Sequence, residues 1–203
     1  MDFDVISVSL KKAFDVFVAN IVAYIVGFLI CVVGSCFIVT IGPLFYGLYY
    51  MVLKGSRGET PDIKDIFCGF SSVSAFIRSW VGFLGFFLPL FVVYIIFFLL
   101  IMFSTALRLG FLSFLFMPVM FLIVFVLMIF LYFTLFIYVM TPSENIVFAL
   151  KESFRISKSN LIMTILTIII AGFCGILFVT MPIGLLFAAS MLKEFEPSLK
   201  DQS

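Results

Sequence analysis

The chain has 203 residues, of which 65% are apolar and only 11% are charged, and its mean hydropathy is +1.34. Soluble domains use roughly 45 to 50% apolar residues, so this composition excludes an ordinary soluble domain and indicates a protein embedded in a bilayer. The 12 basic and 11 acidic residues nearly cancel, which leaves no net field to attract nucleic acid.

Four uncharged runs dominate the chain, and their lengths set the number of membrane crossings. They span residues 16–53, 79–107, 109–143 and 159–192. A 38-residue helix covering the first run would be about 57 Å long, against a hydrocarbon core of roughly 30 Å. The first and last runs are therefore each long enough to form a hairpin of two crossings.

The distribution of Lys and Arg decides between one and two crossings per run. With single crossings, the 12 basic residues split five to seven between the two sides of the membrane. With hairpins in the first and last runs, eleven of the 12 lie on one side and only Arg108 on the other, as the positive-inside rule favours. We therefore predict an all-α, polytopic membrane helical bundle of six transmembrane helices in the inner (cytoplasmic) membrane, with both termini cytoplasmic.

Residues 3–17 form the first predicted element, an amphipathic helix on the membrane surface. Its apolar side chains recur at spacings of three and four, whereas Lys11, Lys12 and Asp15 lie on other faces. This pattern predicts a helix that rests on the cytoplasmic interface before the first crossing.

The first predicted crossing, near 17–34, carries a column of small residues at every fourth position. In lipid such a column lets another helix approach closely. The contacting helix belongs either to the same chain, as helix 2 or helix 5, or to another membrane protein. The residues of this small-residue stripe are Ala19, Ala23, Gly27, Cys31 and Ser35.

Gly34 and Ser35 are predicted to form the outer corner between helix 1 and helix 2, which lies near 37–54. Pro43 then falls inside helix 2, where it leaves the carbonyl of Val39 without its usual donor and should bend the helix. Thr40 is close enough in sequence to supply a hydroxyl donor.

Two further surface helices are predicted from capping patterns on the cytoplasmic side. In ETPDIKDIFCGF, Thr60 is the candidate N-cap, with Pro61 at the first helical position. TPSE at 141–144 resembles a capping box formed by Thr141 and Glu144. Between these two pieces lie helices 3 and 4, which Pro89 and Pro118 should bend or tilt. The first piece carries an apolar stripe formed by Ile63, Ile66, Phe67 and Phe70.

Basic residues cluster at the end of the surface helix that follows TPSE. Lys151, Arg155 and Lys158 are candidates to hold a lipid headgroup. They can equally serve only to set topology, because the acids on the same face cancel their charge.

The first and last hairpins also resemble each other. Shifting the sequence by 140 residues aligns ten identical residues within 46 positions. The chain therefore reads as a single membrane domain, 1–203, with parallel hairpin repeats at 5–54 and 145–193 around a central hairpin at 79–140. The aligned residues are Ile6, Leu10, Lys11, Phe14, Asn20, Ile25, Ile30, Val39, Thr40 and Met51 with Ile146, Leu150, Lys151, Phe154, Asn160, Ile165, Ile170, Val179, Thr180 and Met191.

No catalytic or metal-binding pattern is present in the sequence. The chain contains no His, its four Cys residues have no metal-ligand spacing, and no Gly-rich phosphate loop or G-x-S-x-G motif occurs. No carboxylate, Lys or Arg lies deep within a predicted crossing, which disfavours ion-coupled transport. Glu59, Asp62 and Asp65 suit a solvated helix start better than an active site. We therefore predict no enzyme activity, no cofactor and no metal site.

The stretch IVTIGPLFYGLYYMVLKGSRGETPDIKDIFCGF resembles the bacterial YesL-like and YciC-like integral membrane families and the membrane domain fused to some glycerophosphodiester phosphodiesterases. ALKESFRISKSN and MPIGLLFAASMLKEF are similar to the second half of the same pattern. The resemblance implies a six-helix bacterial inner-membrane protein, an accessory to a transport system, and it brings no catalytic residues. The tail EFEPSLKDQS does not resemble the phosphodiesterase domain.

The leading hypothesis is a non-enzymatic integral membrane protein that acts through helix–helix contacts as an accessory or assembly subunit. Its expected partners are membrane lipids and another membrane protein. The alternative is a small transporter or lipid-handling protein with a path between the two repeats. Hydroxyl-bearing residues would line that path, namely Tyr24, Tyr46, Tyr49, Thr164 and Thr180.

Overall fold

The computed structural model describes residues 3–143, 145–176 and 180–195, and this part of the chain is all-helical, without strands. A 3₁₀ helix, Ile63–Phe70, lies between the third and fourth α-helices. The α-helices are α1 (Phe3–Ala19), α2 (Ile21–Gly34), α3 (Ile38–Ser56), α4 (Val73–Ala106), α5 (Gly110–Leu131), α6 (Thr134–Met140), α7 (Ile146–Ser159), α8 (Leu161–Ile176) and α9 (Met181–Phe195).

Three helical segments in the described residues are long and apolar enough to cross a membrane, namely Ile38–Ser56, Val73–Ala106 and Gly110–Met140. The bent pairs α1–α2 and α7–α8 raise the number to five if each pair counts as one span. The helices α2, α8 and α9 have only 14, 16 and 15 residues, fewer than the roughly 20 that a full crossing needs. The prediction of an all-α bundle with several membrane helices is confirmed, whereas these lengths do not reach six spans.

The chain bends sharply at two Asn residues that are 140 positions apart. α1 meets α2 at 87° next to Asn20, and α7 meets α8 at 104° next to Asn160. The Asn20 side-chain amide donates to the Val16 carbonyl at 3.0 Å, and that of Asn160 donates to Ile156 at 3.4 Å. The Asn20 amide satisfies a carbonyl that has lost its helical donor, because the Asn20 backbone N–H bonds to Phe17 instead of Val16. The Ile156 carbonyl keeps its helical donor, the Asn160 backbone N–H, at 3.0 Å.

α1 spans the predicted surface helix but uses its apolar face differently. The sequence predicts that this face rests on the bilayer interface. In the structure, α1 packs along α9, and Ala13 and Phe17 are buried in the core. Phe14 remains 53% exposed. Part of the face is therefore covered by protein, and Phe14 stays open beside it.

The corner between α2 and α3 lies where the sequence predicts it. α2 ends at Gly34, and Ser35 donates its hydroxyl to the Cys31 carbonyl at 2.6 Å. Thr40 donates to the carbonyls of Phe37, at 2.8 Å, and Gly34. The expectation that the Thr40 hydroxyl donates to the Val39 carbonyl is thus wrong, because this hydroxyl bonds to carbonyls of the corner instead. Thr180 makes the matching bond to Cys174 in the second hairpin.

Both predicted capping residues of the surface helices are corrected by the structure. Asp62, not Thr60, caps the 3₁₀ helix: its carboxylate accepts from the Lys64 amide at 3.0 Å, while Asp65 accepts from the Asp62 amide at 2.8 Å. A carboxylate pair fills both sides of this reciprocal box, which a single Thr hydroxyl cannot do.

The second correction concerns the start of α7. Thr141 donates its hydroxyl to the Ile137 carbonyl and so ends α6, whereas Asn145 accepts from the Phe148 amide at 2.9 Å and begins α7. Glu144, the other half of the predicted box, lies outside the described residues.

The core lies where α3, α6 and α9 meet. All seven residues of α6 are buried, and most of α9 is buried with them. A second, smaller cluster joins α2, α3 and the 3₁₀ helix. Its buried members are Phe28, Cys31, Leu44, Leu48 and Ile66.

The α4–α5 hairpin extends away from this core. α4 has 34 residues, which makes it about 51 Å long, and both α4 and α5 run without a break through Pro89 and Pro118. Only 6% of the most apolar window of α4 is buried. Phe103 is 66% exposed and Phe114 is 81% exposed, so lipid or another protein must cover the outer half of the hairpin.

Arg108 forms the tip of the hairpin in a strained backbone conformation. Its φ is 58°, the left-handed region that L side chains rarely adopt, and the Ser104 hydroxyl closes the turn by donating to the Leu109 carbonyl at 2.8 Å. Gly would adopt this conformation without the steric cost of a Cβ atom.

We expect Arg108→Gly to raise the free energy of unfolding by up to about 1 kcal/mol, because it removes this strain. Arg108→Ala deletes the same charge but keeps the Cβ, so it should give no gain. Detergent-solubilised protein unfolded with increasing denaturant measures both variants. Equal effects of Gly and Ala would show that the charge, and not the backbone, matters at this position.

Candidate functional site

The small-residue stripe of α2 is largely occupied by the chain's own α3 and 3₁₀ helix. A Cβ added to Gly27 would lie 3.0 Å from the Met51 methyl carbon and 3.8 Å from Ile66. Cys31 is buried in the same cluster. Ala19 is exposed, and Ala23 and Ser35 are half-buried. Gly27 and Cys31 therefore make their close contacts within the chain. Their partners are the 3₁₀ helix and α3, which corresponds to predicted helix 2.

The backbone of α3 packs closely against the backbone of the 3₁₀ helix. A Cβ on Gly47 would lie 1.9 Å from the Ile66 carbonyl oxygen, and a Cβ on Gly69 would lie 2.6 Å from that of Pro43. Neither position tolerates a side chain, because a backbone oxygen cannot move aside as a side-chain tip can. Gly47 and Gly69 were not singled out from the sequence. Their only signal is that each interrupts an apolar segment.

An ion pair fastens the same 3₁₀ helix to the end of α3. The Lys54 ammonium lies 2.9 Å from one Asp65 oxygen and 3.2 Å from the other. Burial, reinforced by the negative charge of Asp65, raises the pKa of the nearby Cys68 thiol to about 12. This thiol therefore stays protonated and unreactive at neutral pH.

Arg78 closes the end of α6 from the neighbouring α4. Its guanidinium donates to the carbonyls of Tyr138 at 2.7 Å, Thr141 at 2.8 Å and Pro142 at 2.7 Å. It also lies 4.2 Å above the Tyr138 ring. These carbonyls end a helix and lack helical donors, so the planar guanidinium serves several of them at once. From the sequence, Arg78 indicates only the cytoplasmic side of the membrane. In the structure it joins α4 to the end of α6.

The three headgroup candidates lie on the outer face of α7. Lys151, Arg155 and Lys158 are all exposed. Arg155 donates to the Glu152 carboxylate, one turn earlier. Lys151 and Lys158 make no ion pair within the described residues. The three cations share a helix face but form no pocket there.

The hydroxyl residues of the alternative path are dispersed. Tyr24 packs against Gly55, and the Tyr49 ring lies edge-on to the Phe136 ring with 4.6 Å between centroids. Thr180 donates to the Cys174 carbonyl at the second corner. The hydroxyls of Tyr24 and Thr164 are buried without a hydrogen-bond partner among the described residues. Tyr46 is half-buried against the core.

Two cavities at the surface of the described residues differ in chemistry. One, of about 700 Å³, lies between the start of α4 and the α6–α7 connection and contains Arg78, already engaged by carbonyls. The other, of about 660 Å³, lies between α1, the C-terminal end of α8 and the N-terminal end of α9. We call this second cavity the α1 groove. Its lining residues are Ser7, Leu10, Lys11, Phe14, Phe173, Cys174, Thr180 and Ile183.

The described residues contain no group of three His, Cys, Asp or Glu side chains placed to hold a metal ion. Cys31, Cys36, Cys68 and Cys174 are free thiols. Comparison with protein-family models, with curated proteins and with solved structures gives no match.

The fold and the composition together define a class. The protein is all-helical in its described part, and several of its helices are long and apolar enough to span a membrane, which is compatible with a multi-pass membrane protein.

The contact between Gly47 and Ile66 generates a sharp prediction. We expect Gly47→Ala to lower the free energy of unfolding by about 1 to 3 kcal/mol, since the new methyl group collides with a backbone oxygen. Gly172→Ala is the matched control, because a Cβ at that helical position meets nothing within 4 Å. At Gly172, Ala loses less backbone entropy on folding than Gly does, so the substitution should leave the free energy of unfolding unchanged or raise it. Equal losses at both positions, measured by denaturant unfolding in detergent, would contradict the proposed close contact.

Proposed function

We propose that the chain is a bacterial inner-membrane protein of the YesL-like and YciC-like type that acts without catalysis, as an accessory or assembly subunit of another membrane protein. In this proposal all six apolar helical segments lie in the membrane, and two related units flank the central α4–α5 hairpin. The observation that carries the functional part is the long, exposed apolar surface of that hairpin.

Matched local features support the repeat. The side-chain bonds of Asn20 and Asn160, and those of Thr40 and Thr180, recur 140 residues apart with the same donor and acceptor positions. Burial recurs as well: Ser9 and Ala149 are buried at equivalent positions of α1 and α7, while Phe14 and Phe154 are 53% and 49% exposed. The packing partners differ, since α1 lies along α9 whereas α7 lies along α5 and α6.

The two hairpin corners test the six-crossing topology, because each carries a Cys. We expect Cys36, at the first corner, to react with a membrane-impermeant maleimide from the outer face only, as mass spectrometry of the labelled peptides from right-side-out and inverted vesicles can show. Cys174 is the decisive residue, because it lines the α1 groove together with Lys11, which this topology places on the cytoplasmic side. Six crossings require that Cys174 also reacts from the outer face only. Reaction of Cys174 from the cytoplasmic face would mean that α8 and α9 enter the membrane without crossing it. The shared position of Lys11 and Cys174 in the α1 groove would then have a direct explanation.

Length explains why lipid alone covers the hairpin poorly. The uncharged part of α4, 79–106, measures about 42 Å as a helix, and even a tilt of about 40°, the upper end of the usual range, leaves roughly 32 Å against a 30 Å core. Apolar surface therefore extends toward the headgroups near the hairpin tip. The apolar transmembrane helix of a partner protein would cover this surface, because helices in lipid associate by packing rather than by a hydrophobic drive.

The docking proposal is tested by removing large side chains from the hairpin. We expect the double substitution Phe103→Ala and Phe114→Ala to reduce severalfold the amount of a stoichiometric membrane partner that co-purifies in a mild detergent. Phe37→Ala is the control, since Phe37 is equally exposed at 69% but lies at the α2–α3 corner.

Three outcomes of this experiment would contradict docking of a different protein at the hairpin. They are an equal loss in the control, no loss in the double variant, and purification of the chain with only itself as partner. Purification of the chain alone with one retained lipid species would favour the second candidate function, lipid handling. The buried, unpaired hydroxyls of Tyr24 and Thr164 are the observation that speaks for that candidate.

A further inference from the structure

The α1 groove is an open, mostly apolar surface with a single cation among its lining residues. Ile183 is buried in it, Leu10 and Cys174 are half-buried, and Phe14 and Phe173 stand exposed beside them. Its volume of about 660 Å³ falls within the roughly 300 to 1,000 Å³ of small-molecule sites.

The polar groups of the groove are already engaged, apart from Lys11. The Ser7 hydroxyl donates to the Asp4 carbonyl at 2.9 Å, and Thr180 donates to the Cys174 carbonyl. Lys11 is exposed and makes no ion pair within the described residues, and neither Asp4 nor Asp15 of the same helix lines the groove. An occupant would therefore need a long apolar part and one anionic group.

We propose that the α1 groove binds an anionic phospholipid, with one acyl chain against Leu10, Ile183 and Cys174 and the headgroup phosphate on Lys11. A bilayer supplies such molecules at high concentration, and a Lys beside apolar surface favours anionic over zwitterionic lipid. This site goes beyond the accessory function proposed above, which concerns the α4–α5 hairpin on other helices.

The chain offers matched controls for the cation. Lys12 is the exposed neighbour of Lys11 but does not line the groove, and Lys151 occupies the equivalent position on α7 without being part of it. If charge alone attracted lipid to the surface, all three Lys residues would contribute alike. In the proposed site only Lys11 does.

Native mass spectrometry of the purified full chain, mixed with equal amounts of phosphatidylglycerol and phosphatidylcholine of identical acyl chains, tests the headgroup. We expect the natural protein to retain one phosphatidylglycerol severalfold more often than phosphatidylcholine. Lys11→Gln should abolish that preference, and Lys12→Gln and Lys151→Gln should keep it. Equal retention of the two lipids by the natural protein, or an equal effect of all three substitutions, would overturn the proposal.

The position of the acyl chain is tested separately in the same sample. Ser7→Trp places an indole over the groove and should prevent retention of the lipid, whereas Val8→Trp, at an exposed neighbour outside the groove, should not. Added phosphatidylglycerol should also slow alkylation of Cys174 severalfold while leaving the exposed Cys36 unchanged. Retention by Ser7→Trp, or unchanged alkylation of Cys174, would show that the lipid binds elsewhere.

Discussion

The backbone contact between α3 and the 3₁₀ helix positions much of the structure. Gly47 and Gly69 let two main chains touch, so the eight residues of the 3₁₀ helix lie directly along α3. Gly27 of α2 then packs onto Met51 and Ile66, the residues that this contact fixes. The Lys54–Asp65 ion pair closes the same unit at its polar end. A 3₁₀ helix of this length has poorer hydrogen-bond geometry than an α-helix, so its order depends on packing rather than on propensity.

Local patterns predicted the elements well where one residue sets the boundary. The corner at Gly34 and the position of Pro43 inside a helix were predicted correctly. The helix predicted near 17–34 corresponds to α2, which begins later because Asn20 breaks the helix. Capping was predicted less well. Thr60 and Thr141 fit the motifs, but Asp62 and Asn145 lie nearer the turns and offer better acceptors, and sequence spacing alone does not rank such competitors.

Tertiary contacts account for what the sequence did not reveal. The apolar face of α1 fits a membrane surface and a neighbouring helix equally well, and only the full fold brings α9 against it. The α1 groove joins residues about 170 positions apart, so no local pattern announces it. The sequence gives no sign that Arg78 bonds to the end of α6, because the two lie about 60 residues apart in the chain. The number of crossings depends on helices of 14 to 16 residues, a length at which composition cannot separate a full crossing from a partial one.

The packing of α1 against α9 has a consequence for how the protein is made. α1 is synthesised before α9, so the apolar face of α1 has no partner while the helices between them are being inserted. An amphipathic helix in that condition lies at the membrane interface, with its apolar residues in the acyl boundary and Lys11 and Lys12 among the headgroups. The surface-helix pattern in the sequence thus suits the nascent chain, and the buried helix is its finished state. Closure of the bundle by α9 then covers Ala13 and Phe17, while the groove side of α1 stays open to lipid.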